Sequence, residues 1–261
     1  MKIIVCVKQV PDTSEVRIDQ KTGTMIREGV KSIINPDDLS GLEAALRIKD
    51  KNNAEVIALS MGPKQADNAL RECLAMGVDR AILLSDRAFA GADTWVTSLV
   101  LSKAVELLSP DLVICGRQAI DGDTAQVGPQ IAEHLNLPSV AYVSDIKLES
   151  NESLVVKRMF EDGYQSIRVK TPCLLTVLKE INEARYMRVS RIYNAYKADL
   201  VELWDNSTLG FDPLVLGLKG SPTKVKKSYT KGVKTAGKVF DVPPKEAARI
   251  IADKLKENYI L

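Results

Sequence analysis

Few residues in this chain are spaced for acid–base or nucleophilic chemistry. The only histidine is His134, so no neighbouring base marks a Ser or Cys as a nucleophile. Next to Glu133 on a helical stretch, His134 reads as a solvated side chain. Cys6, Cys73, Cys115 and Cys173 are widely spread without CxxC spacing, and no ligand cluster surrounds the histidine. Buried thiols in a reducing cytoplasm fit that pattern better than a metal centre. What the spacing does suggest is anion binding. In DLVICGRQAIDGDTAQVGPQIAEHL, from Asp111 to Leu135, an apolar run Leu112–Cys115 reads as a buried strand. The polar segment Gly116–Asp123 follows, carrying Gly116, Asp121, Gly122 and Asp123. Thr124–Leu135 then has helical periodicity, with Val127, Ile131 and Leu135 on one face and Asp123 or Thr124 as N-cap. A loop between a strand end and a helix start meets ligands at the carboxyl edge of an α/β sheet, and the helix N-terminus favours phosphate. There is no GxGxxG and no GxxxxGK[ST]. On these residues alone the loop is either a phosphate cradle or a plain capped turn.

The elements that must position this loop alternate. Ile3–Val10 reads as a first strand, broken by Pro11-Asp12-Thr13. Val16–Asp19 and Thr24–Gly29 flank the turn-like Lys21-Thr22-Gly23 as an excursion of hairpin character. Asn35-Pro36-Asp37-Asp38 opens a helix carried on by Leu39, Leu42, Ala45, Leu46 and Lys49. Strand Ala54–Met61, helix Ala66–Met76 closed by Gly77, strand Ala81–Ser85 and helix Thr94–Leu108 follow, the last with Leu99, Val100, Ala104 and Leu107 facing inward. Strands alternating with helices imply right-handed crossovers and a parallel sheet covered on both faces. The tips Lys8-Gln9, Asn35–Asp38, Met61-Gly62 and Gly116–Gly128 would converge on one crevice rich in small residues and backbone groups.

After Pro138 the pattern changes. Val140–Leu148, Leu154–Phe160, Gln165–Lys170 and Cys173–Leu178 read as consecutive strands extending the sheet, antiparallel where no helix intervenes. Lys179–Arg188, KEINEARYMR, is polar, with Ile181 and Tyr186 set among charges: either an ordinary surface loop or an anchor for a partner protein. Val189–Lys197 fits a short helix. Asp205–Gly237 lacks periodicity, carries Lys224, Lys226, Lys227, Lys231 and Lys234 with Val225 and Tyr229 among them, and is too long for an ordinary loop. It reads as disordered or as an arm on another protein. Pro243–Tyr259 is an amphipathic helix with Ala247, Ile250, Ile251 and Leu255 on one side.

The 261 residues are 45% hydrophobic and 27% charged, enough for a full core. A net charge of +2 makes no case for nucleic acid or an anionic membrane. No apolar run approaches the roughly 20 residues of a membrane span, and the start is too short for a signal peptide. The expectation is a cytoplasmic protein without membrane insertion or a nucleic-acid partner.

Taken together, VKQVPDT at the start, Asn35-Pro36, Met61-Gly62-Pro63, GRQAIDGDTAQVG, VKRMFEDGYQSIRVKTPCLLT from Val156 to Thr176, and Asn182-Glu183-Ala184-Arg185-Tyr186 resemble the β-subunit of electron-transfer flavoproteins over essentially the whole chain. Many relatives have Pro where Ala184 stands. The resemblance implies an α/β, mostly parallel, doubly wound sheet of the adenine nucleotide α-hydrolase-like kind, with added antiparallel strands. It implies a nucleotide-binding domain over 1–202 and a C-terminal arm and helix over 203–261 that pack on an α-subunit. By position, Cys6, Asn35, Asp38, Met61, Gly116, Arg117, Asp121, Gly122, Asp123, Thr124, Ala125, Gln126, Val127 and Gly128 would bind the cofactor. Of these, Asp121, Thr124, Gln126 and Val127 would meet its pyrophosphate and ribose end. Ile181, with Asn182, Glu183, Arg185 and Tyr186, would form a recognition loop at about 179–188, Ile181 being the apolar anchor.

The cofactor would be a structural AMP or, in the electron-bifurcating branch, a second FAD. AMP-type relatives commonly have an aromatic residue where Thr13 stands and a bulky one where Asp37 stands. With VKQVPDT, DRAFAGADT and KGSPT, these places favour FAD, AMP being the alternative. The resemblance then implies NADH as electron donor, ferredoxin or flavodoxin as one acceptor, and an acyl-CoA dehydrogenase or enoyl-CoA reductase as the other, reached through the α-subunit flavin. NADH oxidation is expected only in complex with the α-subunit, and no side chain is expected to be catalytic. A non-bifurcating carrier with AMP, or a stand-alone nucleotide-binding module, are the other readings.

Overall fold

The computed structural model describes residues 1–12, 17–18, 25–26, 31–150, 152–223 and 237–260. In chain order the elements are β1 (Lys2–Cys6), β2 (Gln9–Pro11), β3 (Arg17–Ile18), β4 (Met25–Ile26), β5 (Ser32–Ile34), α1 (Pro36–Lys51), β6 (Glu55–Met61), α2 (Asp67–Met76), β7 (Arg80–Leu84), α3 (Thr94–Leu108), β8 (Leu112–Gly116) and α4 (Val127–His134). Then come β9 (Ser139–Ser150), β10 (Ser153–Met159), β11 (Tyr164–Lys170), β12 (Cys173–Val177), α5 (Val189–Lys197), β13 (Val201–Trp204), α6 (Asn206–Leu209), α7 (Gly217–Gly220) and α8 (Pro244–Glu257).

A nine-stranded sheet runs in the order β11-β10-β9-β12-β8-β1-β6-β7-β13. Its seven neighbours from β9 to β13 are parallel, and β10 and β11 are antiparallel additions. Strand β1 lies between β8 and β6, with Ile3, Ile4 and Val5 fully buried, as a strand covered on both faces requires. Its side chains alternate between two cores. Ile3 and Val5 join α1 and α2 residues such as Leu42, Leu46 and Leu70, whereas Ile4 and Cys6 join Val96, Val100 and Ile131 of α3 and α4. All four cysteines are buried.

Several expectations need correction. The first strand stops at Cys6; Gln9–Pro11 leaves the main sheet and pairs with β5. On α3 the inward face is Val96, Val100, Ala104 and Leu108, while Leu107 is exposed. Strand β12 does not extend the sheet antiparallel: it inserts between β8 and β9, parallel to both. His134 is not freely solvated, because Ser98 Oγ lies 3.1 Å from its Nε2 and the Trp95 ring meets it edge-on at 4.6 Å. The segment from Leu203 onward is not all unstructured. Val201–Trp204 adds an edge strand parallel to β7, and Leu209 and Leu216 are buried in the α3-side core.

Two compact units result, residues 1–17 with 26–226, and 18–25 with 227–261. The first therefore continues past the boundary expected at 202/203. In the second, α8 carries Ala247, Ile250, Ile251 and Leu255 as expected, and none of its residues is buried. Of the expected hairpin, β3 and β4 are described and paired. Thr13, the Lys21-Thr22-Gly23 turn and the lysines between 224 and 234, with Val225 and Tyr229, lie outside the described residues.

Candidate functional site

The carboxyl ends of β1, β6 and β8 bring three chain segments together, and the N-terminus of α1 fastens two of them. Asn35, fully buried, donates from Nδ2 to the Gln118 carbonyl at 2.8 Å and accepts at Oδ1 from the Ile120 N–H at 3.1 Å. Its own N–H donates to the Lys8 carbonyl at 2.9 Å. Asp38 accepts the Lys8 N–H at 2.8 Å on one carboxyl oxygen and the Gly116 N–H at 3.1 Å on the other. Burial pushes its carboxyl up to about 7, against the lowering by the Asn35 side chain and the two N–H donors. Gly116 is glycine for a steric reason: a Cβ there would lie 2.3 Å from Asp38 Oδ1 and 2.7 Å from the Asp38 nitrogen. Beside them Asp37 is buried, and burial raises its carboxyl although Arg117 opposes the shift. Asp37 Oδ2 and Arg117 Nε stand 3.5 Å apart, each without a hydrogen bond among the described residues.

Beyond Gly116 the loop makes its own turn. The Gly122 and Asp123 N–H groups donate to the Ala119 carbonyl, and Gln118 Nε2 donates to Asp123 Oδ1 at 2.9 Å. Asp123 and Ala125 hold left-handed φ values of 50° and 51°, a strained backbone for side-chain-bearing residues. The helix begins later than its periodicity suggests, at Val127. Its N-cap is Gln126 and not Asp123 or Thr124, and no side chain caps it. Consequently the backbone N–H groups of Ala125, Gln126, Val127 and Gly128 have no partner among the described residues. Unpaired donors at a helix N-terminus suit a phosphate or pyrophosphate. Gln126 Oε1 accepts from Thr94 Oγ1 at 2.8 Å, tying the loop to α3.

Lys8 Nζ spans the mouth of the crevice to both Asp121 carboxyl oxygens, each at 2.8 Å. A hollow of about 160 Å³ lies beside it, lined by Lys8, Gln9, Val10, Ser32, Met61 and Gly62. A larger hollow of about 600 Å³ sits at the opposite, amino ends of the strands, lined by Lys2, Lys49, Asp79 and Asp111. Ligands of open α/β sheets bind at the carboxyl ends, so the smaller one belongs to the candidate site. Cys6 pairs in register with Cys115 on the crevice floor. Of the residues expected at the cofactor, Asn35, Asp38, Gly116 and Asp121 are joined through Lys8 and the loop, Met61 lines the hollow beside Lys8, and Thr124 is exposed on the loop. Lys8 and Gln118 stand on tips expected there, whereas the Lys8–Asp121 pair, the hold of Asn35 on the Gln118 carbonyl and the part of Thr94 were not expected. Nothing in the local sequence marks them, because Lys8 and Asp121 meet only once β1 and β8 are neighbours.

The 179–188 segment is arranged differently from expectation. Ile181 is half-buried and packs against the α1-side core. Asn182 Nδ2 donates to the Ser40 carbonyl at 2.9 Å, and Arg185 faces Glu43 and Asp50 of α1. Tyr186 projects with 97% of its surface exposed.

Among the described residues no group of three potential metal ligands occurs, and no helix is long and apolar enough to cross a membrane. Residues 22–204 match the electron transfer flavoprotein domain family. The chain is 55% identical over 261 residues, all of both chains, to electron transfer flavoprotein subunit beta of Clostridium acetobutylicum. It is 54% identical over 264 residues, again all of both chains, to the caffeyl-CoA reductase-Etf complex subunit CarD of Acetobacterium woodii. Over 269 residues, covering both chains fully, it is 46% identical to the acryloyl-CoA reductase electron transfer subunit gamma of Anaerotignum propionicum.

Proposed function

The chain belongs to the electron transfer flavoprotein family as a β-subunit, and on that premise we propose that it binds FAD and serves an electron-bifurcating heterodimer. The observation that carries this reading is full-length identity of 54% and 46% to subunits named for CoA-reductase complexes. A flavin held here would take a hydride from NADH and divide the electrons between ferredoxin or flavodoxin and, through the α-subunit flavin, an acyl-CoA dehydrogenase or enoyl-CoA reductase. The chain's own residues would bind and orient it. The N–H groups of Ala125–Gly128 would receive the pyrophosphate, and Asn35 would hold the loop through Gln118 and Ile120. Met61 and its neighbours would line the adenosine end. Lys8 would supply positive charge near the phosphates while remaining tethered by Asp121. None of these groups need donate or accept a proton.

Purified with its α-subunit and extracted, the heterodimer is expected to yield two FAD and no AMP. One FAD and one AMP would overturn the bifurcating reading and leave the non-bifurcating carrier.

A further inference from the structure

Three sulfur side chains stand at the carboxyl ends of three adjacent strands. Cys115 is at the end of β8, Cys6 closes β1 and Met61 closes β6, and the strands lie in the order β8-β1-β6. Cys6 is the register partner of Cys115 on one side and of Leu59 on the other, with Met61 two residues past Leu59. Residues two apart on a strand share a face. Cys6 and Cys115 belong to the α3-side core, and Met61 packs against it. Neighbouring strands lie about 4.8 Å apart, which makes the two thiols neighbours, and they hydrogen-bond to each other. Asp38 fixes their spacing, because its carboxyl holds the N–H of Gly116, directly after Cys115, and of Lys8, two residues after Cys6. Cys73 and Cys173 belong to the opposite core cluster. No third His, Cys, Asp or Glu joins Cys6 and Cys115 among the described residues, so the four-ligand set of a structural zinc is absent there. Two thiols and a thioether are instead a donor set for a soft ion.

We propose that Cys6, Cys115 and Met61 form a binding site for monovalent copper, and that copper and the nucleotide weaken each other's binding. The second half rests on the reading of Ala125–Gly128 as phosphate donors. Copper would displace the proton of each thiol to solvent and stay monovalent, so two thiolates and one Cu⁺ leave one net negative charge. The hydrogen bond with Cys6 and burial push the Cys115 thiol up, so its proton yields only to a strong thiophile. The new charge would lie under the first turn of α4, since a Cβ on Gly128 would stand 3.6 Å from Cys115 Sγ. The donors that would receive a phosphate would then face an anion already in place. Met61, which lines the hollow beside Lys8, would be turned from the nucleotide to the ion.

The test uses the heterodimer, stripped of nucleotide and kept without oxygen, titrated with copper(I) against a chromophoric copper(I) chelator. The wild type should take up one copper more than C6S or C115S and show a thiolate-to-copper ultraviolet band that both variants lack. C73A should match the wild type, and M61L should keep the stoichiometry with a lower affinity. Should C115S fail to fold, C6S gives the same reading, because either change leaves a single thiol. AMP probes the crevice without filling a flavin site. With copper bound its Kd should rise about tenfold, and saturating AMP should weaken copper by the same factor, as linkage requires. Equal copper uptake by the wild type and the serine variants would overturn the site. An unchanged affinity in M61L would overturn the part given to Met61. Copper bound with an unchanged Kd for AMP would overturn the antagonism. A wild type that binds copper but no AMP even before copper is added would remove the phosphate-donor reading and the antagonism with it, while the copper site would stand.

Discussion

Asp38 decides how tightly the crevice is closed, because both carboxyl oxygens accept backbone N–H groups from different segments. An amide at this position would set its own NH₂ against one of those donors. D38N should therefore cost about 1–3 kcal/mol, the range for a buried polar group left unsatisfied. Its pH dependence has a definite sign. The folded carboxyl titrates at about 7, above its ordinary 3.8, so the folded state holds a proton that the unfolded state has lost. Stability from this group is then full below about 4, falls as pH rises towards 7, and is flat above. Melting temperatures of the wild type and D38N across that interval check this. A wild-type stability that climbs relative to the variant would show a carboxylate ionised throughout. At this scale the sequence was partly legible. Asn35, Asp38 and Gly116 stood out by type and position, whereas Glu43 did not. A glutamate within a helix of mixed polarity looks like solvated surface until the strand order brings the loop after β12 alongside it.

Among elements, the loop from Gly116 to Val127 was legible as a site but not in detail. Its helical periodicity begins at Thr124, yet the helix starts at Val127 because Asp123 and Ala125 adopt left-handed conformations. Those torsions break the first turn and leave the donors unpaired, a tertiary outcome that periodicity does not encode. G116A tests how far the loop depends on α1. The added methyl would press on both the carboxylate and the backbone of Asp38. The cost should lie at or above the about 1–3 kcal/mol of ordinary overpacking, because backbone cannot swing away like a side chain. Loss of bound nucleotide at ordinary protein concentration, read by extraction and by melting temperature, is expected. A variant as stable and as fully loaded as the wild type would mean that the crevice opens without α1. The segments DRAFAGADT and KGSPT prove to be a mated pair. Asp93 accepts the Thr223 N–H and hydroxyl, and Leu218 N–H donates to Ala90. Gly217, at φ 54°, would place a Cβ 2.4 Å from the Ala88 carbonyl oxygen. Spacing alone could not pair segments so far apart, although each was distinctive by itself.

For the whole molecule, the alternating half was readable because each strand is followed by its own helix. The insertion of β12 was not, since strand order depends on registers between distant segments. The same reasoning locates where the body ends. Neither core cluster takes a described residue beyond Leu216. Helix α8 is amphipathic, with Ile250 and Leu255 half-buried and Ile251 60% exposed. A helix with no fully buried residue gains little stability by itself and needs another surface for its apolar stripe. Deleting 237–261 should therefore leave the body's melting temperature within about 2–4 °C of the full chain, equivalent to roughly 1 kcal/mol for a domain of this size. The loss should fall on association with the α-subunit, seen as dissociation of the heterodimer at concentrations where the full chain stays paired. A truncated chain that melts far lower by itself would show that the helix stabilises its own subunit. A truncated chain that still pairs with full affinity would show that the α-subunit is held elsewhere on the body.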